Sequence, residues 1–591
     1  MTRKPVLFYC LSFLLVMALA RCANPVSPEG GPRDVKQPAI VSCQPPNFTT
    51  GFNSPNIRIE FDEFIALKDA ISEIFISPPL RERLDPRLRG KSLLIRMTDS
   101  LQPNTTYSIT FGNAIADITE NNVVTGFSYV FSTGTTIDSL SFRGNLINAF
   151  DLVPRKDVFI ELYANNNDTL PIDSLPLKVP PYYVTKTDEN GRFTFHHLKQ
   201  DRYLLFALAD QNGDLIFNQP SEKIAYSDSL VHPVFVAPPI HDTLTGNQKH
   251  SPSDSLRKQN PMADSLRKAD SAARYDQAFP SHTLRLFEET DSTQRLVNSR
   301  FLKEGLIVLN YRYPIKDLNV VPLNFDSAAP WKTDEFSEKR DTISLWITRP
   351  GVDTLIAKVI ADQQFIDTVR LNLTRKTTGK KSDKQTPTGL TFQSSASGGS
   401  FNQYRTRPEL IASYPLARWD FSRALLLQDK DTIPAQLSFT DSLHRRIVID
   451  HPWQEEKSYT LLIPDSVFHS INGLSQDTIR LTFRTKAERD FGNLIINLDL
   501  APDNGQYLIQ LLNDKETVLL DQRVIDRPEK IAFRYLTPGK FKLKAIHDQN
   551  RNRKWDTGNY KLKIQPEEVF YYSGEIEVRS NWDVEEKWVI R

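Results

Sequence analysis

Cysteine is nearly missing from this chain: Cys10, Cys22 and Cys43 are the three in 591 residues. That is too few for the disulfide framework that staples many small exported domains. An excess of either charge is missing as well, since 73 Lys and Arg stand against 72 Asp and Glu. No basic field is available for nucleic acid, and no nucleic-acid partner is expected. After the first twenty residues there is no apolar run long enough to cross a bilayer as a helix. Marked catalytic chemistry is absent too: there is no Gly-x-Ser-x-Gly, no His-Glu-x-x-His and no phosphate loop, because Gly90-Lys91-Ser92 lacks the upstream glycine. Carboxylate pairs such as Asp62-Glu63 are common. Glycosidase chemistry, however, needs two carboxyl groups at a defined separation across a substrate. No catalytic residue and no organic cofactor is therefore expected.

What is present begins at the N-terminus, where Arg3 and Lys4 precede the uncharged run Pro5 to Ala20. A charged start followed by a short apolar stretch reads as an export signal over residues 1–21, since a membrane span needs roughly 20 apolar residues. Leu19-Ala20-Arg21-Cys22 resembles a bacterial lipobox, which implies lipidation at Cys22 and a lipid-anchored tether over 22–36; Arg21 departs from the small residue usual there. A plain secretory signal cleaved nearby, with Cys22 incidental, is the blander reading. If Cys22 carries lipid, Cys43 is left as a free thiol.

Beyond the tether the chain expects an all-β class. Alternating runs recur, as in Ile57-Arg58-Ile59-Glu60-Phe61, Phe193-Thr194-Phe195, Ile479-Arg480-Leu481-Thr482-Phe483-Arg484 and Ile576-Glu577-Val578-Arg579. Period two places one face in a core and the other in water. Turn signals such as Asn190-Gly191, Asn472-Gly473 and Pro538-Gly539 punctuate them. Tandem β-sandwiches joined by flexible linkers follow from that spacing. Two stretches break the pattern: 241–282, which repeats Asp-Ser-Leu-Arg-Lys, and 376–404, rich in Thr, Gly, Ser and Lys. Neither buries enough apolar surface to offset its ordering entropy, so both read as linkers.

The segment 37–134 carries Pro38-Ala39-Ile40-Val41, Ile57 to Glu63, Leu101-Gln102-Pro103-Asn104-Thr105-Thr106-Tyr107, Ile115-Ala116-Asp117 and Tyr129-Val130-Phe131-Ser132-Thr133. It resembles the S-layer-type bacterial Ig-like domain. A more degenerate copy over 405–486 repeats the grammar in Lys457-Ser458-Tyr459-Thr460 and Leu481-Thr482-Phe483-Arg484-Thr485. The segment 138–240, with Thr187-Asp188-Glu189-Asn190-Gly191-Arg192-Phe193, resembles the transthyretin-like or carboxypeptidase-regulatory-like sandwich, and 487–591 is its second copy. Leu198 to Asp210 and Leu536 to Asp548 share one spacing, as do Asp210 to Phe217 and Asp548 to Trp555. A sandwich of uncertain type is expected over 283–375. The module order and the Cys22-Ala23-Asn24-Pro25 start resemble Ig-like-domain lipoproteins of the Bacteroidetes, which implies an outer-membrane lipid anchor.

The one marked candidate for site chemistry is a pair of loops, Asp210-Gln211-Asn212-Gly213-Asp214 and Asp548-Gln549-Asn550-Arg551-Asn552, the second followed by Asp556. Oxygen side chains at alternate positions suit calcium, so Asp210, Asn212, Asp214, Asp548, Asn550, Asn552 and Asp556 are the expected ligands. Both loops depart from the EF-hand pattern, with Leu215 and Arg553 at the sixth position and Ser221 and Asn559 at the twelfth. An Asx-rich turn capping backbone amides is the plainer alternative. Asp followed by Ser or Thr and an aliphatic residue also recurs, and resembles a short O-glycosylation acceptor motif of the Bacteroidetes. Ser255 and Ser265, in the linker, are its accessible copies.

Taken together, the sequence expects a non-enzymatic envelope lipoprotein, an adhesion or scaffold protein held to the membrane by its lipid and touching another envelope protein or a polysaccharide. A carbohydrate-active or peptide-processing enzyme, or its sugar-binding accessory, is the alternative.

Overall fold

The computed structural model describes residues 34–164, 170–235, 282–290, 293–326, 329–348, 353–373, 389–396, 399–429, 431–500 and 505–591. Cys22, Ser255 and Ser265 lie outside them, as do the export signal and most of both expected linkers. Nearly all regular structure is β, as the alternating runs predict. Among the described residues no helix is long and apolar enough to cross a membrane. By contact density the chain divides into two compact units, residues 1–147 with 153–286 and residues 148–152 with 287–591, each considered by itself below.

In the first unit, strands Ile40–Gln44, Asn56–Phe61, Ser92–Arg96 and Asp85–Arg89 form one sheet in that order. Phe75–Ser77, Thr106–Thr110 and Ser128–Ser132 form a second. Alternation drives the packing: Ile57, Ile59 and Phe61 are buried while Asn56 and Arg58 face water. They meet Tyr107, Ile109 and Phe131 in one core. A buried Ile or Phe contributes roughly 1.5–3 kcal/mol. Cys43 is a half-buried free thiol at the margin of this core, and burial raises its pKa.

The second sandwich holds Phe159–Ala164 between Tyr183–Lys186 and Tyr203–Leu208, with Lys223–Tyr226 beyond. Arg192–Leu198 and Leu140–Asn148 belong to the same seven-stranded sheet, joined to Lys223–Tyr226 through Thr283–Glu288. That last strand corrects the expected boundary at 283. Leu284 and Leu286 are buried in the core of the second sandwich, with Phe142 and Leu205, so the stretch 241–282 leaves from this sandwich and returns to it. Its lack of apolar residues marks it as a linker, but cannot say which layers it joins.

In the second unit, the sheets Leu296–Lys303, Leu306–Tyr311, Thr342–Ile347, Lys332–Phe336 and Leu318–Pro322, Thr354–Ala361, Gln364–Asn372 close a sandwich around Leu309, Leu345 and Ala357. Thr342 and Thr354 each follow an Asp and open a strand, the ordinary turn-then-strand use of the Asp-Thr-aliphatic motif. The next sandwich starts earlier than the expected 405, because Phe392–Ser394 and Gly399–Phe401, inside the stretch read as linker, already pair with Glu409–Ala412 and Ile479–Thr485.

Strand order repeats along the chain. The sheet Phe392–Ser394, Glu409–Ala412, Arg446–Asp450, Gln436–Phe439 matches the first sheet of the Ig-like module strand for strand. In the final sandwich, Glu529–Leu536, Gly492–Leu500, Asp583–Ile590 and Leu519–Ile525, Gln506–Asn513, Gly539–Asp548, Val569–Tyr571 reproduce the strand order of the second sandwich, here as two separate sheets. Detail repeats too. Tyr107 Oη accepts the N–H of Gln102 at 2.8 Å, and Tyr459 Oη that of Gln454 at 3.0 Å. Thr133 Oγ1 accepts the N–H of Thr105 and Thr485 Oγ1 that of Lys457, both at 3.0 Å. These pairs stand a constant 352 residues apart. The fourth sandwich is degenerate in sequence beside the first yet keeps the same polar corner.

Modules within each unit meet through side chains. In the first unit, Val184 N–H donates to Ser77 Oγ at 2.9 Å and Lys186 Nζ to Ser72 O at 2.5 Å. In the second, Arg445 forks onto Glu335, which also accepts the Trp346 indole N–H at 2.8 Å. The Arg445 guanidinium lies 4.6 Å from the Trp346 ring centre. Further on, Arg405 donates to Arg534 O, Leu520 O and Asp521 at 2.9–3.1 Å, while Tyr404 stacks on Tyr535 at 4.2 Å. Polar and aromatic contacts fix orientation, and in the second unit Leu306, Val308 and Trp346 also pack against Tyr414, Leu443 and Ile471.

Candidate cation loops

Each expected loop follows the central strand of its sandwich, Tyr203–Leu208 or Gly539–Asp548. Each is a ladder of Asx turns. Asp210 Oδ1 accepts the N–H of Asn212 and Gly213 at 3.1 and 2.7 Å, and Oδ2 that of Leu215 at 3.0 Å. Asn212 Oδ1 then accepts from Asp214 N, and Asp214 Oδ1 from Ile216 N. In the copy, buried Asp548 accepts from Asn552 and Arg553, Asn550 from Asn552, and Asn552 from Lys554. The plainer alternative, amide capping, is thus a property of both loops.

Their outward ends converge. Asn212 Nδ2 and Asn218 Nδ2 lie 3.0 and 2.6 Å from Asp214 Oδ2, and Asn212 Nδ2 lies 3.1 Å from Asn218 Oδ1. In the copy, Asn550 and Asn552 both reach Asp556 Oδ2. An amide turned by 180° presents oxygen in place of nitrogen at the same point. The sixth position settles the objection drawn from the missing glycine: Leu215 at φ 57° and Arg553 at φ 65° adopt the left-handed backbone a glycine would favour, and so do Gly213 and Arg551 at the fourth. The turn is made, at the cost of local strain.

Two carboxylates behind the loops were not found by spacing. Fully buried Glu222 accepts the N–H groups of Gln211, Asn218 and Gln219. Glu567 accepts those of Gln549 and Asp556, and burial raises its pKa. Glu222 lies twelve residues after Asp210 but Glu567 nineteen after Asp548, so a fixed-spacing pattern misses the equivalence. Asn218 was also missed, although it stands where the copy has Asp556. Among the described residues no three His, Cys, Asp or Glu side chains stand together as a metal group. A cation here would therefore depend on amide and carbonyl oxygens as much as on carboxylates.

Aromatic residues in the first loop and its copy, and the paired histidines, are structural. Phe217 is buried against Phe206, and Trp555 is half-buried with its indole N–H on Glu567 O at 2.9 Å. His196 and His197 contact Ser141 and the Asp138 carbonyl separately. A crevice of about 500 Å³ lies between Glu455, Arg489, Asn493, Tyr535, Trp582 and Asp583. Its carboxylates are engaged, Glu455 with Tyr404 and Asp583 with Asn493.

No curated protein matches the chain. Among solved structures it is similar to the S-layer protein rSbsC(31-844), at 10% identity over 89% of this chain and 67% of that one with a TM-score of 0.13. The Bacillus anthracis TIE protein is similar at 9% identity, over 98% of this chain and 78% of that one, with a TM-score of 0.15. The major pilin subunit BcpA of Bacillus cereus is similar at 7% identity, over 76% of this chain and 99% of that one, with a TM-score of 0.13. Likeness at this level carries no argument about activity. Residues 34–133, the first module, match the bacterial Ig-like domain family.

Proposed function

We propose that this chain is a non-enzymatic, lipid-anchored protein of the bacterial outer membrane whose sandwiches space and present a binding surface to another envelope protein or to envelope polysaccharide. The observation that carries the reading is a duplicated pair of β-sandwiches with matching strand order, with module junctions built from fixed side chains such as Arg445 on Glu335 and Arg405 on Arg534 O. Repetition of a folded unit extends a surface, whereas catalysis needs one converging set of groups. The anchor rests on Cys22 and the residues before it. Spectrometry of the intact protein from envelopes, with and without globomycin, tests it. A di- or triacylated N-terminus at Cys22 that disappears with the inhibitor and in Cys22→Ser is the expected result. An unmodified N-terminus at another residue refutes the anchor.

A further inference from the structure

Beneath the first loop lies a carboxylate that the fold does not otherwise use. On strand Phe159–Ala164, Ile160, Leu162 and Ala164 point into the core, so Glu161 and Tyr163 point to the opposite face. The 3-10 turn Ile172–Leu177 packs over that face, and the Asp210 loop is tied to it where Phe217 N–H donates to Pro176 O. Glu161 is fully buried there. Its Oε2 accepts the Tyr163 hydroxyl at 3.0 Å, while Oε1 has no hydrogen-bond partner among the described residues. Burial first, and then the loop carboxylates Asp210, Glu222 and Asp214, hold its carboxyl well above the usual range.

Nearby cations are committed elsewhere. Lys186 shares this face but lies 4.5 Å from the Phe159 ring centre with Nζ on Ser72 O. Arg83 donates to the Gly213 carbonyl at 3.1 Å. The duplicated sandwich shows the alternative. By register Glu161 opposes Phe206, and in the copy Gln510 opposes Lys544. Where the first sandwich buries a carboxyl group beneath its loop, the second has the neutral amide of Gln510 beside buried Lys544.

We propose that the loop Asp210–Glu222 binds a hard divalent cation of the calcium class through oxygens of Asp210, Asn212, Asp214 and Asn218, with Glu161 beneath it as a positioning charge. The loop Asp548–Glu567 binds the same class more weakly through Asp548, Asn550, Asn552 and Asp556. Oxygen ligands at positions one, three, five and nine of a tight loop match what calcium takes. A divalent charge at the loop offsets the repulsion among its carboxylates and Glu161, whereas the copy has neutral Gln510 in the place of Glu161. The inference stands independently of the anchor.

The test is calorimetric titration of the full chain, stripped with chelator, with calcium chloride alone. Two classes of site are expected, the tighter near the ~10⁻⁴ M typical of extracellular modules. Asp214→Ala with Asn218→Ala, both exposed positions, removes the tighter class. Asn552→Ala with Asp556→Ala removes the weaker. Glu161→Gln weakens the tighter class by roughly tenfold and leaves the weaker unchanged. Hydrogen exchange of 210–222 follows the same order and identifies the loop even if a variant is destabilised. No uptake up to several millimolar calcium, or uptake indifferent to the loop variants, overturns the site. An unchanged tighter class in Glu161→Gln overturns the role given to Glu161.

Discussion

Thr485→Val isolates the polar corner shared by the first and fourth sandwiches. Thr485 is 1% exposed, its Oγ1 accepting the Lys457 N–H at 3.0 Å and donating to Gln454 O at 2.5 Å. Valine keeps the β-branched shape and strand preference and removes only the hydroxyl, so the change is one of hydrogen bonding, not of volume. It leaves the Lys457 N–H without its acceptor, at a cost of about 1–3 kcal/mol. That corresponds to roughly 5- to 150-fold faster local exchange. Because a chain of several sandwiches has no single unfolding free energy, the assay is residue-resolved hydrogen exchange at the Lys457 amide. Thr482→Val, exposed on the same strand, is the control and stays within about 0.5 kcal/mol. Thr133→Val produces the same effect at the Thr105 amide of the first module. If Thr485→Val leaves Lys457 exchange equal to that of the control, the shared corner is geometric coincidence and the reasoning fails.

At the junction in the second unit, Arg445→Ala strands Glu335 with the Trp346 indole as its remaining partner. With side-chain exposures of 16% and 22%, solvent screens part of the loss, and about 1–2 kcal/mol of local stability is expected to go. Red-shifted Trp346 emission with faster exchange at 441–446 reports it, and an unchanged spectrum speaks against the clamp. For Glu161, whose folded pKa is raised, the unfolded chain gives up its proton as pH rises through the usual carboxylate range while the folded one keeps it. In chelator, stability therefore falls from pH 5 towards neutrality, and Glu161→Gln flattens that fall. Thermal midpoints of the two proteins that decline in parallel would exclude a buried acid.

Much of this fold is legible in the sequence, because burial alternates along single strands: Ile57, Ile59 and Phe61 or Leu494, Ile496 and Leu498 need no distant partner to be read as one face. The cation loops were legible in part. Asp210, Asn212 and Asp214 lie within five residues, so their convergence is a local matter of turn geometry. Glu222 and Glu567 were obscured by unequal spacing, whereas Asn218 keeps the spacing of Asp556 and was hidden by its change of residue type. Glu161 was out of reach, lying on another strand and brought under the loop by strand pairing alone.

By itself the sequence determined the β class, the turns, the duplication and the Asx ladders, all set by neighbours a few residues apart. Tertiary structure decided which strand closes which layer, placing Thr283–Glu288 in the second sandwich and Phe392–Ser394 in the fourth. It also decided which charges face one another, putting Glu161 below three carboxylates and Gln510 beside Lys544. The physical reason is that a period-two pattern fixes a side chain's face but not its partner strand, and the burial and pairing of a charge depend wholly on that partner.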